Sequence, residues 1–263
     1  MAERAEADSD VGSRREAAIR ELVRTSYEDP SVVSRYVTTG LWPAEEILVL
    51  DYVPDNARVL DIGCGAGRMA IPLAEMGLDV VAIDISETMV RAAEEQARLA
   101  GVEVEFKVMD ALEIQLEESG FDVAFFSYNG IELLPGRDGK RRLFEQVRRA
   151  LKPDGRFIFC SHSIFALNMF ALGRLKAFLK LCASQLLGFP AREQELGERF
   201  LDWEYEEAKY LQVLPPSTLI KMLRECGFRL LFFNTSGRIE GGKKWGFPGH
   251  FEDGERFYVA EKC

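Results

Sequence analysis

The stretch Val59-Leu-Asp-Ile-Gly-Cys-Gly-Ala-Gly-Arg68 (VLDIGCGAGR) reads as a buried strand, Val59–Ile62, that runs straight into glycines at 63, 65 and 67. A helix is predicted beyond it, over about 67–76. Glycines at such a turn permit positive φ and let the backbone approach a ligand closely. Doubly wound sheets bind ligands beyond the carboxyl ends of their strands, so this loop stands where a ligand would sit. A Walker loop needs Gly-Lys-Ser/Thr, which is absent. A dinucleotide loop, G-x-G-x-x-G/A, needs a small third residue for close helix packing; that position holds Arg68. Asp61, two residues before Gly63, would repel a pyrophosphate but suits an ammonium or a sulfonium.

Outward from this loop the chain keeps a regular rhythm. Val80–Ile83 is an apolar strand, and Ser86 caps a helix of about 87–100 with Glu87 in its first turn. Strands follow at Val102–Val108 and Phe121–Phe126, then a helix at 139–151 and a strand at Arg156–Cys160. Strand and helix alternating in this way predict an α/β fold: a doubly wound, mostly parallel, seven-stranded Rossmann-like sheet with helices on both faces. The last two strands are placed near 229–234 and 256–261, after a helix from Pro216 to Cys226. Residues 1–14 read as a solvated tail. Helices at 15–24, after Pro30 and from Pro43 to Leu50 form an N-terminal cap. We expect a single domain: tail and cap over 1–54, a ligand-binding core over 55–160, a helical insertion or lid over 161–215, and a closing helix and strands over 216–263.

The 33 Lys and Arg stand against 43 Asp and Glu, a net charge of −10. That field disfavours a nucleic-acid backbone and favours a small-molecule, cationic or protein partner. The five cysteines contain no C-x-x-C pair, which suits a reducing cytoplasm. Two histidines, far apart in sequence, do not make a His-based metal site, and no metal is expected. The apolar run from Ile164 to Phe189 carries Arg174, Lys176 and Lys180 and is a poor transmembrane span.

Several signals in register resemble a class I S-adenosylmethionine-dependent methyltransferase over about residues 55–160. Its first motif is an acidic residue followed by G-x-G-x-G, here Asp61, Gly63, Cys64, Gly65 and Gly67. The second is Asp84, about twenty residues on, whose carboxylate can accept both ribose hydroxyls; Ile85 and Met89 would flank the adenine. The third is Asp110-Ala111, where the family's acidic residue accepts from the adenine amino group. The fourth is Phe126-Ser127-Tyr128-Asn129-Gly130, which faces the methionine part of the cofactor. The fifth, Leu151–Phe159, is architectural, with Pro153 and Gly155 shaping a turn. The resemblance implies S-adenosylmethionine as donor, S-adenosylhomocysteine as product, and a small-molecule acceptor. The segment after strand 121–126 is SYNG, neither N/D-P-P-Y/F nor Pro-Cys, which argues against base-amino, glutamine and cytosine-C5 methylation.

Methyl transfer from a sulfonium is an in-line displacement, so the protein supplies orientation, desolvation and, where needed, a base. His162 emerges after strand 156–160 on the ligand side and is the candidate base, or else a local structural histidine. Tyr128 is placed to orient substrate or to pack on the cofactor. As in small-molecule members of the family that the chain resembles, the cap aromatics Tyr36 and Trp42 would close over the cofactor's methionine part, or else pack helix to sheet. The helix 164–188 reads as core packing or a dimer contact, as a hydrophobic substrate wall, or as a basic face on an anionic membrane. The acidic run 193–207, with Asp202, Glu204, Glu206 and Glu207, reads as a solvated face or an attractor of amines. A catalytically silent cofactor-binding sensor and a methyltransferase acting on tRNA or protein are the alternatives.

Overall fold

The computed structural model describes residues 2–188, 191–201 and 209–263, with side chains from residue 12 onward. Among the described residues nine strands appear: β1 Arg58–Ile62, β2 Asp79–Asp84, β3 Glu105–Val108, β4 Phe121–Phe126, β5 Leu151–Ser161, β6 Glu198–Phe200, β7 Tyr210–Gln212, β8 Phe228–Thr235 and β9 Arg256–Lys262. Seven form one sheet in the order β3-β2-β1-β4-β5-β9-β8, while β6 and β7 make a separate hairpin. Strands β1 to β5 are parallel neighbours, and β9 runs antiparallel between β5 and β8. The strand order reverses across β1 and β4, the switch point at which such sheets bind ligands.

Nine α-helices among the described residues surround the sheet: α1 Ala2–Tyr27, α2 Pro30–Val37, α3 Pro43–Tyr52, α4 Ala70–Glu75, α5 Glu87–Ala100, α6 Gly136–Ala150, α7 Ala171–Leu187, α8 Pro216–Glu225 and α9 Ser236–Glu240. Burying apolar strand residues on both faces gives two cores. On one side Leu143 and Phe144 of α6 and Leu219 and Leu223 of α8 cover Phe157, Phe159 and Tyr258. On the other, Leu48 of α3 and Leu73 of α4 cover Val59, Phe125 and Val259. The rings of Phe159 and Tyr258 stack in parallel across β5 and β9, with centroids 4.6 Å apart.

Several expectations need correction. Helix α1 takes in the residues read as a tail. Helix α4 starts at Ala70, because the positive φ angles of Gly65 and Gly67 hold the loop out of helical geometry. Strand β3 lacks residues 102–104, since its ladder with β2 begins only at Glu105 opposite Val81. Helix α6 starts three residues early, behind a Gly136 with φ of +60°. The hairpin β6–β7 and helix α9 had no sequence signal distinct from their loops. Helix α7 is not packed into a core: Leu181 is its one buried residue. Asp202, Glu204, Glu206 and Glu207 lie outside the described residues.

Candidate active site

The register of the sheet brings five strand ends to one edge. Ile62 pairs with Ile83 and Asp84 pairs with Val108, so the glycine loop, Asp84 and Asp110 emerge together. Beside them the ends of β4 and β5 deliver Ser127 and His162.

The loop is held from within. The Gly65 amide donates to Asp84 Oδ2 at 2.8 Å, and the Ser86 amide donates to Asp84 Oδ1 at 2.8 Å. Burial pushes the Asp84 carboxyl above its ordinary value against the pull of those two donors. A Cβ on Gly63 (φ +64°) would stand 2.7 Å from Phe126 Cε2, and one on Gly65 (φ +53°) 3.0 Å from Tyr36 Cδ1. Side chains at either position would therefore fill the cradle as well as strain the backbone. Beneath the loop Asp61 is fully buried, and neither carboxylate oxygen has a hydrogen-bond partner. Burial, opposed by Arg68, pushes its pKa up to about 8. An orphaned carboxylate beside a glycine cradle fits a ligand that brings a positive charge.

Arg68, the residue that spoils a dinucleotide loop, has a structural task. Its Nη1 donates to Glu45 Oε2 at 2.7 Å and to the Gly40 carbonyl at 2.8 Å. Its guanidinium lies 5.1 Å from the Trp42 ring and 5.0 Å from the Tyr128 ring. This buried ion pair clamps the glycine loop to α3, a role that the sequence reading missed.

A cavity of about 100 Å³ lies above the loop, lined by Tyr36, Gly63, Gly65, Asp84, Ile85, Asp110, Ala111, Ser127 and Tyr128. The other sequence candidates do not face it. Cys64 and Met89 are buried in core clusters, Gly67 is backed by Ile71, and Trp42 stacks on Tyr128 and Arg68. The cap presses down on this cavity. Arg20 of α1 donates from Nε to Asp110 Oδ2 at 2.7 Å and pairs with Glu113 at 2.9 Å. Tyr36 meets Tyr27 and Tyr128 edge to face, at 5.7 Å and 5.3 Å. Ligand sites ordinarily measure roughly 300–1,000 Å³, so a nucleoside requires α1 and α2 to draw back.

A second cavity, of about 390 Å³, lies on the other side of a 3-10 turn, Gly130–Leu133. Gly130 and Leu133 face the first cavity, and Glu132 between them faces the second. His162 lines this second space with Ile164, Phe170 and Phe178. Its Nδ1 lies 3.1 Å from Glu132 Oε1, and its Nε2 lies 3.7 Å from Glu255 Oε1. Burial opposes the imidazolium, but the Glu132 hydrogen bond and the charges of Glu132 and Glu255 outweigh it and hold the pKa above its ordinary value. Lys140, fully buried, ties this turn down through the Leu134 carbonyl (3.1 Å) and Gln212 (2.9 Å). Burial lowers its pKa to about 7 against the pull of Glu132, Glu195 and Glu198. Tyr128 lies on the cofactor side of the turn and does not join His162. Glu132, Glu255 and Lys140 escaped the sequence reading, because no spacing links them to His162. Among the described residues no cluster of three or more His, Cys, Asp or Glu could hold a metal, and no helix is long and apolar enough to cross a membrane.

Comparison with known proteins agrees with this arrangement. Residues 59–155 match the family described as a methyltransferase domain. The chain is 31% identical over 206 residues to the ubiquinone/menaquinone biosynthesis C-methyltransferase of Acidiphilium cryptum, spanning 76% of this chain and 77% of that protein. It is 33% identical over 187 residues to the carboxy-S-adenosyl-L-methionine synthase of Nautilia profundicola, spanning 69% and 74%. In fold it is similar to a SAM-dependent methyltransferase from Methanosarcina mazei (TM-score 0.64, 24% identity, covering 85% of this chain and 99% of that one). With the motifs in register on a doubly wound sheet, and with relatives matched along most of their length, the chain belongs to the class I S-adenosylmethionine-dependent methyltransferases.

Proposed function

We propose that this methyltransferase acts on a small molecule with an apolar body, bound in the cavity between the end of β5 and α7, and that His162 takes up the acceptor's proton. The observation that carries this reading is the placement of the two cavities. One 3-10 turn separates the glycine-loop cavity from a larger, mostly apolar one that contains a His–Glu pair. The cofactor supplies an electrophilic methyl group on a sulfonium together with its own leaving group. Asp61, Gly63, Gly65, Asp84, Ile85, Asp110 and Ala111 hold it, with Tyr36 closing from the cap. Glu132 accepts from Nδ1–H of His162 and so leaves Nε2 as the basic atom. Nε2 would take up the proton that the acceptor's O–H or N–H gives up on methylation. A base of this kind contributes about 10²–10⁴-fold.

The carboxylates around this cavity, Glu132, Glu195, Asp253 and Glu255 among them, outnumber its arginines, Arg174 and Arg199. Such a wall admits neutral or cationic acceptors and repels anionic ones. The test is transfer of a labelled methyl group to a panel of apolar phenols, amines and carboxylic acids, with tRNA and protein extracts in parallel. Labelled phenols or amines support the proposal. Label confined to tRNA or protein refutes it, and so does cofactor binding without transfer to any acceptor.

A further inference from the structure

Helix α7 is apolar on two opposite sides, and among the described residues only one of them is covered. Ala177, Phe178 and Leu181 look inward onto the larger cavity. Leu172, Leu175, Leu179 and Leu186, spaced at three, four and seven residues, form a stripe along the opposite face. These four are exposed to 79%, 53%, 58% and 84%. Lys176 stands within the stripe, and among the described residues no acidic partner meets it. The stripe extends past the start of the helix. The Leu167 amide donates to the Phe251 carbonyl at 2.9 Å, and the Phe251 ring meets that of Phe247, which is 76% exposed. Lys243 and Lys244, both exposed, precede Phe247. A continuous apolar surface of this extent on a soluble chain marks an interaction site.

We infer that this face docks on an anionic lipid bilayer. In a chain of net charge −10, Lys176 of α7 and the exposed Lys243 and Lys244 carry the positive charge available to this face, while Arg174 turns into the larger cavity and Lys180 pairs with Glu193 at 3.0 Å. Leucines and phenylalanines flanked by lysines suit the boundary between acyl chains and anionic headgroups, where lysine stems lie along the apolar layer and their ammonium groups reach the phosphates. A two-fold dimer through the same stripe would draw the Lys176 side chains of both copies into an apolar seam. On the reading of the larger cavity as the acceptor site, the opposite face of α7 would bring that site next to a reservoir of apolar molecules.

The experiment is flotation of the full chain with vesicles of phosphatidylcholine alone and of phosphatidylcholine with phosphatidylglycerol. It needs neither donor nor acceptor, so its outcome is separate from that of the methyl-transfer assay. The expected result is at least a tenfold preference for the phosphatidylglycerol vesicles, weakened by salt. The double variant Leu172→Glu/Leu179→Glu should lose that binding at least tenfold with an unchanged circular dichroism spectrum, since both side chains are already exposed. Failure to float with the anionic vesicles overturns the inference. So does sedimentation as a dimer that the double variant splits, which would assign the stripe to a second copy of the chain.

Discussion

The two cavities differ in how they are built. The glycine-loop cavity is assembled from strand ends, and its shape is fixed by backbone: amides on Asp84, positive φ at Gly63 and Gly65, and a buried Arg68–Glu45 clamp. The second cavity is walled by an insertion, a 3-10 turn and a helix with one buried residue. The first therefore tolerates little change and serves a cofactor common to the family. The second can change its side chains without disturbing the sheet, which is what an acceptor site needs in order to diverge. On the proposed function, the contrast separates the site of chemistry from the site of stability.

Removing the base is the most direct way to break the contrast. His162→Ala should lower kcat by about 10²–10⁴-fold while the dissociation constant for S-adenosylhomocysteine, read by calorimetry, stays within twofold. A matching loss of cofactor affinity would merge the two sites. Arg68→Leu should act in the reverse sense. It leaves Glu45 buried without its cation, a loss of about 3–5 kcal/mol, or roughly 2–4 °C of Tm per kcal/mol in a chain of this size. A Tm within two degrees of the parent would show that the clamp does not hold the loop. Gly65→Val places a branched side chain at φ of +53° against Tyr36, and it should cost about 100-fold in cofactor affinity.

Smaller effects sharpen the picture. Glu132 and Glu255 raise the pKa of His162 while burial lowers it. The base works when neutral, so kcat/KM should rise with pH through that raised value. Glu132→Gln removes the raising partner and leaves the burial, so the rise should move to lower pH, with a plateau about tenfold lower through lost orientation of the ring. An unmoved profile would remove Glu132 from this role. Asp61 gives the smallest effect and one of unusual sign. Its pKa in the folded chain, about 8, lies above the ordinary 3.8. The folded state therefore loses stability as pH climbs from near 4 to near 8. Asp61→Asn should raise the Tm of the ligand-free protein at pH 7.5 by a few degrees and weaken cofactor binding; a lower Tm would contradict the orphaned carboxylate.

The legible parts of the fold were those in which one residue type answers one local demand. Val59–Ile62 and Phe121–Phe126 are apolar except at Asp61 and Asp122, because both faces of a parallel strand are buried. The glycines at 63 and 65 stand where the backbone turns left-handed, and Ser86 caps α5, its hydroxyl accepting from the Met89 amide at 3.1 Å. The illegible parts depend on partners distant in sequence. Glu132 meets His162 across thirty residues, and Arg20 meets Asp110 across ninety. Helix α7 stayed open for a different reason: its apolar spacing, interrupted by Arg174, Lys176 and Lys180, fits core packing, a dimer contact or a membrane face alike, and among the described residues its outer face is uncovered. Trp42, read from the family's aromatic cap, and Met89, read beside the adenine, both had packing as their other reading, and their side chains turn into packing around Arg68 and Val32.

Strand β9 carries a consequence for biosynthesis. It lies between β5 and β8, yet it is translated after both, and until it arrives neither strand has its neighbour on that side. The nascent chain can assemble β1 to β5 while still tethered to the ribosome, but β8 must wait as an unpaired, phenylalanine-bearing edge. The closing step is the insertion of Arg256–Lys262, sealed by the Lys262 ammonium on the Leu151 carbonyl at 2.5 Å. Until Arg256–Lys262 has left the ribosome, β5 therefore keeps a raw margin and β8 has no partner strand, the stage at which this polypeptide is most exposed to association.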